Sequence, residues 1–195
     1  MTPLLILASA SPRRKQLLEA LGLPFEVVPS GLAEDAGEGP ALELAPALAL
    51  AKAREVATRV PAGLVLGADT IVECDGRSWG QPANAAEAWT TLRALSGRTH
   101  RVVTGVAVVD VRSGRAESGA AVTEVTFREL SDAEIAAYVE TGEPFGKAGA
   151  YAVQGLGGLW VEGIRGSPSN VIGLPVTLVQ DLLRRFGVKL WRLRR

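Results

Sequence analysis

The chain opens on a continuous apolar run, Leu4-Leu5-Ile6-Leu7-Ala8, of the kind buried on both faces of a sheet. It ends at Ser9-Ala10-Ser11-Pro12. There Ser11 is a good N-cap and Pro12 occupies the first helical position, which predicts a helix to about Leu21 closed by Gly22. Phe25–Val28 reads as a short strand, Pro29–Pro40 as a polar, acidic loop, and Glu43–Arg59 as an alanine-rich helix with Pro46 near its first turn. Leu64–Ala68 is a second buried-type strand, ending at Asp69-Thr70. Ile71–Glu73, the turn Asp75-Gly76 and Ser78-Trp79 make a small hairpin. Asn84 with Glu87, and later Ser131 with Glu134, have capping-box spacing and predict helices to about Leu95 and to Gly142. Between them, His100–Val111 and Ala116–Phe127 alternate as a long hairpin through Ser113-Gly114. Gly146–Gly173 reads as loops and strands, Leu174–Phe186 as the last helix stopped by Gly187, and Val188–Leu193 as a returning edge strand. Strands alternating with helices, plus one long hairpin, predict an α/β fold with a mixed sheet and no linker dividing it.

Composition narrows the class. With 195 residues and 47% hydrophobic side chains the chain can bury a real core, and it carries neither a disordered composition nor a repeat. One cysteine, Cys74, forms no internal disulfide. One histidine, His100, beside that cysteine leaves no paired-ligand zinc site. A Ser/His/Asp hydrolase would have to use that single histidine. Lys and Arg number 21 against 21 Asp and Glu, a balance that speaks against a dedicated nucleic-acid binder. The charge is nonetheless uneven, acidic at 34–43 and basic from Arg184 to Arg195. The longest uncharged runs, 148–161 and 166–180, are shorter than the roughly 20 residues of a membrane span. The expectation is a cytoplasmic protein without nucleic-acid or membrane partners.

Several places offer chemistry. Ser9-Ala10-Ser11-Pro12-Arg13-Arg14 brings two hydroxyls and two forked cations to a helix N-terminus, where anions are favoured. A capped helix with solvated arginines is the equal alternative. Asp69, directly after a strand, could hold a divalent metal or accept a proton from water; a turn-forming aspartate is the commoner fate. Glu34 in the polar loop is a second candidate ligand, against simple solvation. Lys147 sits among glycines in Gly146-Lys147-Ala148-Gly149-Ala150-Tyr151, and Lys52 lies within a helix; either could neutralise phosphate or face water. Gln154 could present its amide to a nucleobase edge. Gly166-Ser167-Pro168-Ser169-Asn170 could bind sugar or phosphate, or only shape a turn. His100 is expected to be structural.

Blocks in order along nearly the whole chain resemble the Maf family of nucleotide pyrophosphatases. They are Leu7–Arg14, Ala68-Asp69-Thr70, Ser96-Gly97 with His100 and Thr104-Gly105, Gly146–Tyr151 with Gln154-Gly155, and Gly166-Ser167 with Asn170-Val171 and Gly173-Leu174-Pro175. The resemblance implies an elongated, two-lobed mixed sheet flanked by helices, like that of inosine triphosphate pyrophosphatase. One domain would span 1–195 with a central cleft, often as a homodimer. It implies hydrolysis of a nucleoside triphosphate to monophosphate and diphosphate with a divalent cation, Mg or Mn. Family roles fall on Asp69 as the catalytic acid, as base or as metal ligand, and on Glu34 as the loop acid. Phosphate contacts fall on Ser9, Arg13, Arg14, Lys52 and Lys147. Arg13, Thr70 and Gln154 resemble the subgroup that prefers dTTP and UTP over 7-methyl-GTP. The chain departs from the family at Gln81, where Gly80-Gln81-Pro82 stands for the usual Gly-Lys-Pro, and at Ala33, where relatives often carry aspartate. The lost lysine leaves a second reading in play: a nucleotide-binding regulator of cell division or septum formation with little turnover.

Overall fold

The computed structural model describes residues 4–32 and 39–190. Strands β1 (Leu5–Leu7), β2 (Phe25–Val27), β3 (Leu64–Cys74), β4 (Arg77–Trp79), β5 (Thr99–Asp110), β6 (Ala116–Phe127) and β7 (Val161–Arg165) form one mixed sheet. Its order is β2-β1-β3-β5-β6-β7, with β4 also on β3. β1 runs parallel to β2 and β3, and all other pairs are antiparallel. The helices are α1 (Pro12–Ala20), α2 (Ala41–Ala57), α3 (Ala85–Leu95), α4 (Asp132–Glu140), α5 (Pro168–Ile172) and α6 (Val176–Arg185). No helix among the described residues is long and apolar enough to cross a membrane.

Local chemistry sets most boundaries. Ser11 caps α1, its hydroxyl accepting from the Arg14 amide, with Pro12 next. Ser131 and Glu134 complete a reciprocal capping box on α4. At α3 the Asn84 side chain caps the Glu87 amide, but the Glu87 carboxylate returns to the Ala83 amide and the Asn84 side chain instead of the cap backbone. Asp75 and Gly76, both at positive φ, turn β3 into β4.

Four expectations are corrected. β3 does not stop at Asp69 but runs on to Cys74, because β5 pairs with it throughout Leu64–Glu73. Pro46 lies in the second turn of α2, which begins at Ala41. Of the expected last strand, residues 188–190 pair with nothing in the sheet, and 191–193 lie outside the described residues. The glycine-rich stretch holds two 3₁₀ turns, strand β7 and the short helix α5, and α6 starts at Val176 behind Pro175.

Strand alternation separates the two faces of β3. Gly67, Asp69 and Ile71 share the face that carries α2, whose buried stripe is Ala41, Ala45, Ala49, Lys52, Ala53 and Val56. A Cβ on Gly67 would stand 2.1 Å from the Ala49 carbonyl oxygen, and one on Gly105 would stand 2.1 Å from Ala45. Helix and sheet therefore meet at backbone distance. The opposite face carries two apolar clusters. One gathers Leu66, Val106 and Val108 with Leu18 of α1, Leu182 of α6 and Leu174 from the turn before α6. The other gathers Val72, Val102 and Phe127 with Leu92, Ile135, Tyr138 and Trp160. Thr70 and Thr104 stand between them, register partners whose hydroxyls lie 3.0 Å apart.

His100 is 1% exposed, packed edge-on against Phe127 and Tyr151, with Nε2 2.9 Å from the Tyr151 hydroxyl. Burial lowers its pKa from 6.5 to about 4, so the native ring is neutral. Between those values the unfolded chain binds a proton that the folded chain refuses. This group's contribution is intact above pH 6.5 and is lost as the pH falls toward 4, on the order of 1 kcal/mol per pH unit. Chemical denaturation of wild type and His100→Gln from pH 7 to pH 4 is expected to show a shallower loss in the variant; parallel curves would refute the assignment. Gly105→Ala is expected to cost about 2–3 kcal/mol, a drop in Tm on the order of 5–10 °C. Gly163→Ala, where a Cβ meets nothing within 4 Å, serves as the near-neutral control.

Candidate active site

β1 and β4 both pair with the edge of β3 that β5 does not occupy. β1 accompanies it to Leu66 and β4 joins it at Val72, so 67–71 have no neighbouring strand on that edge. Asp69 is the centre of this opening. The chain leaves β1 into Ser9–Arg14 on one side and leaves β4 into Gly80-Gln81 on the other. A cleft fills the space, with about 700 Å³ of empty volume including its open mouth. Its walls include Arg13, Arg14, Asp69, Thr70, Gln81, Lys147 and Gln154. Residues spread from position 13 to position 154 thus meet because one sheet edge is interrupted.

Two further expected residues stand directly behind that wall. Lys52, 4% exposed on α2, places Nζ 2.6 Å from Oδ1 of Asp69, itself 7% exposed. Ser9 accepts from Arg14 Nη1 at 3.1 Å and from the Ser11 amide at 3.2 Å. Glu34 lies outside the described residues.

Arg14 is a buried brace, 8% exposed. Its Nε donates to the Gly173 carbonyl at 2.8 Å and its Nη2 to the Thr70 hydroxyl at 3.1 Å, tying the α1 entrance to β3 and to the α5–α6 connection. Arg13 reaches across the cleft, donating to the Gly146 carbonyl at 3.3 Å. Lys147 donates to the carbonyls of Glu143 and Phe145, which closes its loop. Desolvation and then the nearby Arg13 charge hold the Lys147 pKa below the ordinary lysine range, while the Glu143 charge pulls it up. Two cations held this close, against one carboxylate among the described cleft residues, make a site suited to an anion.

The sequence placed Thr104 and Asn170 in family blocks but gave no sign that they form a network under the cleft. Thr104, fully buried, bridges the Thr70 hydroxyl at 3.0 Å and the Asn170 carbonyl at 3.2 Å. Asn170, also fully buried, spans the Val102 carbonyl and the Thr123 hydroxyl, both at 2.9 Å. The turn residues at 166–170 therefore take the structural of their two readings, with Ser167 and Ser169 bonded to one another. Tyr151 is also in the cleft wall, its hydroxyl held by His100 and its pKa pushed up by burial. A threonine among the apolar residues Val102, Val103 and Val106 of a buried strand was the available signal for a buried polar contact.

For a divalent cation the donor set is sparse. Among the described residues no three His, Cys, Asp or Glu side chains gather, and Asp69 is the single carboxylate of the cleft wall. That matches a magnesium-like ion, which is held by one or two carboxylates and completes its shell with substrate phosphates and water. The residues fit a cation that arrives on an anionic ligand.

Comparison with known proteins gives the chain a family. The model of the family described as Maf-like protein matches residues 4–186. A dTTP/UTP pyrophosphatase of Moorella thermoacetica is 53% identical over 188 residues, covering 96% of this chain and 97% of the relative. Proteins of the same name from Ruminiclostridium cellulolyticum and Thermococcus gammatolerans are 44% and 50% identical, covering 95% and 92% of this chain and 97% and 95% of their own. A seven-stranded mixed sheet flanked by helices, matched over nearly its whole length, makes this chain a member of the Maf family.

Proposed function

We propose that the chain hydrolyses dTTP and UTP to the nucleoside monophosphate and diphosphate. One observation carries the reading: Arg13, Arg14, Lys147, Gln81, Thr70 and Gln154 surround a cleft centred on Asp69, in a chain whose relatives bear the name dTTP/UTP pyrophosphatase. The two apolar clusters either side of Thr70–Thr104 are read as two lobes of one domain, with the cleft between them. A cytoplasmic location fits an activity on free nucleotides.

In this mechanism Arg13 and Lys147 take the outer phosphates, and Lys52 and the α1 entrance at Ser9 neutralise the rest. Arg14 keeps Thr70 and Gly173 in place beneath the ligand. Thr70 and the Gln154 amide face the base, whose donor and acceptor edge distinguishes pyrimidines. Water attacks the α-phosphorus, and the bond from that phosphorus to the α–β bridging oxygen breaks. The water's proton passes to the Asp69 carboxylate, and diphosphate leaves with its charge spread over the surrounding cations. In the alternative role of metal ligand Asp69, with Glu34, would hold a Mg or Mn ion, which when bound supplies Lewis-acid stabilisation of the phosphate charge.

Diphosphate release is measured across dTTP, UTP, CTP, dATP and 7-methyl-GTP with Mg²⁺ or Mn²⁺. Turnover confined to dTTP and UTP is the expected result. Tight nucleotide binding without turnover overturns the hydrolase and favours the regulator. Asp69→Asn is expected to lower kcat by at least about a hundredfold while its circular dichroism stays native; an unimpaired variant refutes the assignment. Gln81→Lys, which adds a charge-assisted bond about twice as strong as a neutral one, is expected to lower KM for dTTP with kcat little changed.

A further inference from the structure

One oxygen of the carboxylate proposed to hold the metal already carries a cation. Lys52 Nζ lies 2.6 Å from Asp69 Oδ1, and both side chains are withdrawn from solvent. Such a contact takes the position of a cation on that carboxylate and offsets its charge. An approaching divalent ion meets a carboxylate already offset by an ammonium, in a cleft whose other walls carry Arg13, Arg14 and Lys147.

The two partners differ in freedom. Asp69 belongs to a strand paired with β5 on both sides of it, from Leu64 to Glu73. The backbone of Lys52 is equally set, because Ala49 and Ala53 on the same helix press on Gly67 two residues before Asp69. The ammonium itself rides on a four-carbon stem with rotatable bonds and donates three protons in any direction. If the contact breaks, the lysine head moves and the carboxylate stays. What can draw it away is a stronger anion in the adjoining cleft, and a triphosphate is that anion.

We propose that Lys52 acts as a resident stand-in cation on Asp69, excluding free divalent metal until a nucleotide triphosphate draws the ammonium onto its phosphates. This rests on the reading of the site as a triphosphate hydrolase. It makes the metal–nucleotide complex the species that binds, and gives Lys52 two successive anionic partners. No covalent bond changes in the exchange, and charge balances throughout. The ammonium passes from carboxylate to phosphate as the dication passes onto the carboxylate.

Mn²⁺ alone is the probe. Free Mn²⁺ is titrated with nucleotide-free protein and followed by electron paramagnetic resonance, which reads binding without any turnover. Wild type is expected to hold no Mn²⁺ into the millimolar range, and Lys52→Met to bind it at least about tenfold more tightly. Lys52→Gln, which keeps a neutral hydrogen-bonding group beside Asp69, is the second variant should the methionine fail to fold. Lys52→Met combined with Asp69→Asn is expected to return to wild-type weakness, which locates the gained site on Asp69. Wild type is expected to retain Mn²⁺ once a dTTP analogue with a methylene α–β bridge is added. Equal Mn²⁺ affinity in wild type and the Lys52 variants, whether tight or absent, overturns the proposal. Failure of the underlying reading appears elsewhere, as absence of diphosphate release from dTTP by the wild type.

Discussion

Helix α2 can lie on the sheet at backbone distance only because Gly67 and Gly105 present hydrogen where any side chain would strike Ala49 or Ala45. The rest of the site depends on that approach. The alanines of α2 add little side-chain height, so the helix axis drops close to β3 and β5. One turn beyond Ala49, Lys52 then has no room for water between its ammonium and Asp69. A bulkier interface would have buried more apolar area and lifted the lysine out of reach. Here close packing serves chemistry, and it builds a buried charge pair that would contribute little to stability for its own sake.

The second determinant is topological. A continuous partner along the outer edge of β3 would have satisfied its backbone and closed the cleft. Instead β1 ends and β4 begins with 67–71 left between them, and through that opening side chains from both faces of the sheet reach one cavity. Asp69 points toward α2 and Thr70 toward the opposite clusters, yet both border the same space. The arrangement resembles the general preference of α/β sheets for ligand sites where strand connections diverge. Beneath it, Thr104 and Asn170 satisfy one another and Thr123. The floor of the cleft is therefore a buried hydrogen-bond network that ties β5, β6 and α5 together, with Asn170 Oδ1 its one unpartnered atom among the described residues.

Electrostatically the protein is balanced overall and unbalanced locally. Equal numbers of acids and bases argue against a polyanionic macromolecule as partner, while Arg13, Arg14, Lys52 and Lys147 gather from three separate segments around one carboxylate. A small polyanion needs only such a cluster. The global charge carries no information about it.

Much of this was legible along the chain. Alternation and continuous apolar runs marked the strands, and Ser11-Pro12 and Ser131 with Glu134 marked helix starts, because those signals act over a few residues. The blocks from Ser9 to Gln154 named the charged residues of the cleft wall, Arg13, Arg14, Asp69 and Lys147. Other features were not legible, for a physical reason: they arise from contacts between segments far apart in sequence. That β3 continues through Asp69 depends on β5 pairing, and that residues 188–190 form no strand depends on the sheet offering them no partner. Whether Arg14 faces solvent or braces Thr70 and Gly173 is decided by how α5 packs. Lys52 read as one more helical lysine until α2 settled on two glycines and set it against Asp69. Along the chain one can read which groups are available, their charge and the local elements that carry them. Which groups face one another, and which carboxylate is shielded, follows from the folded packing, since burial and proximity are properties of contacts between distant segments.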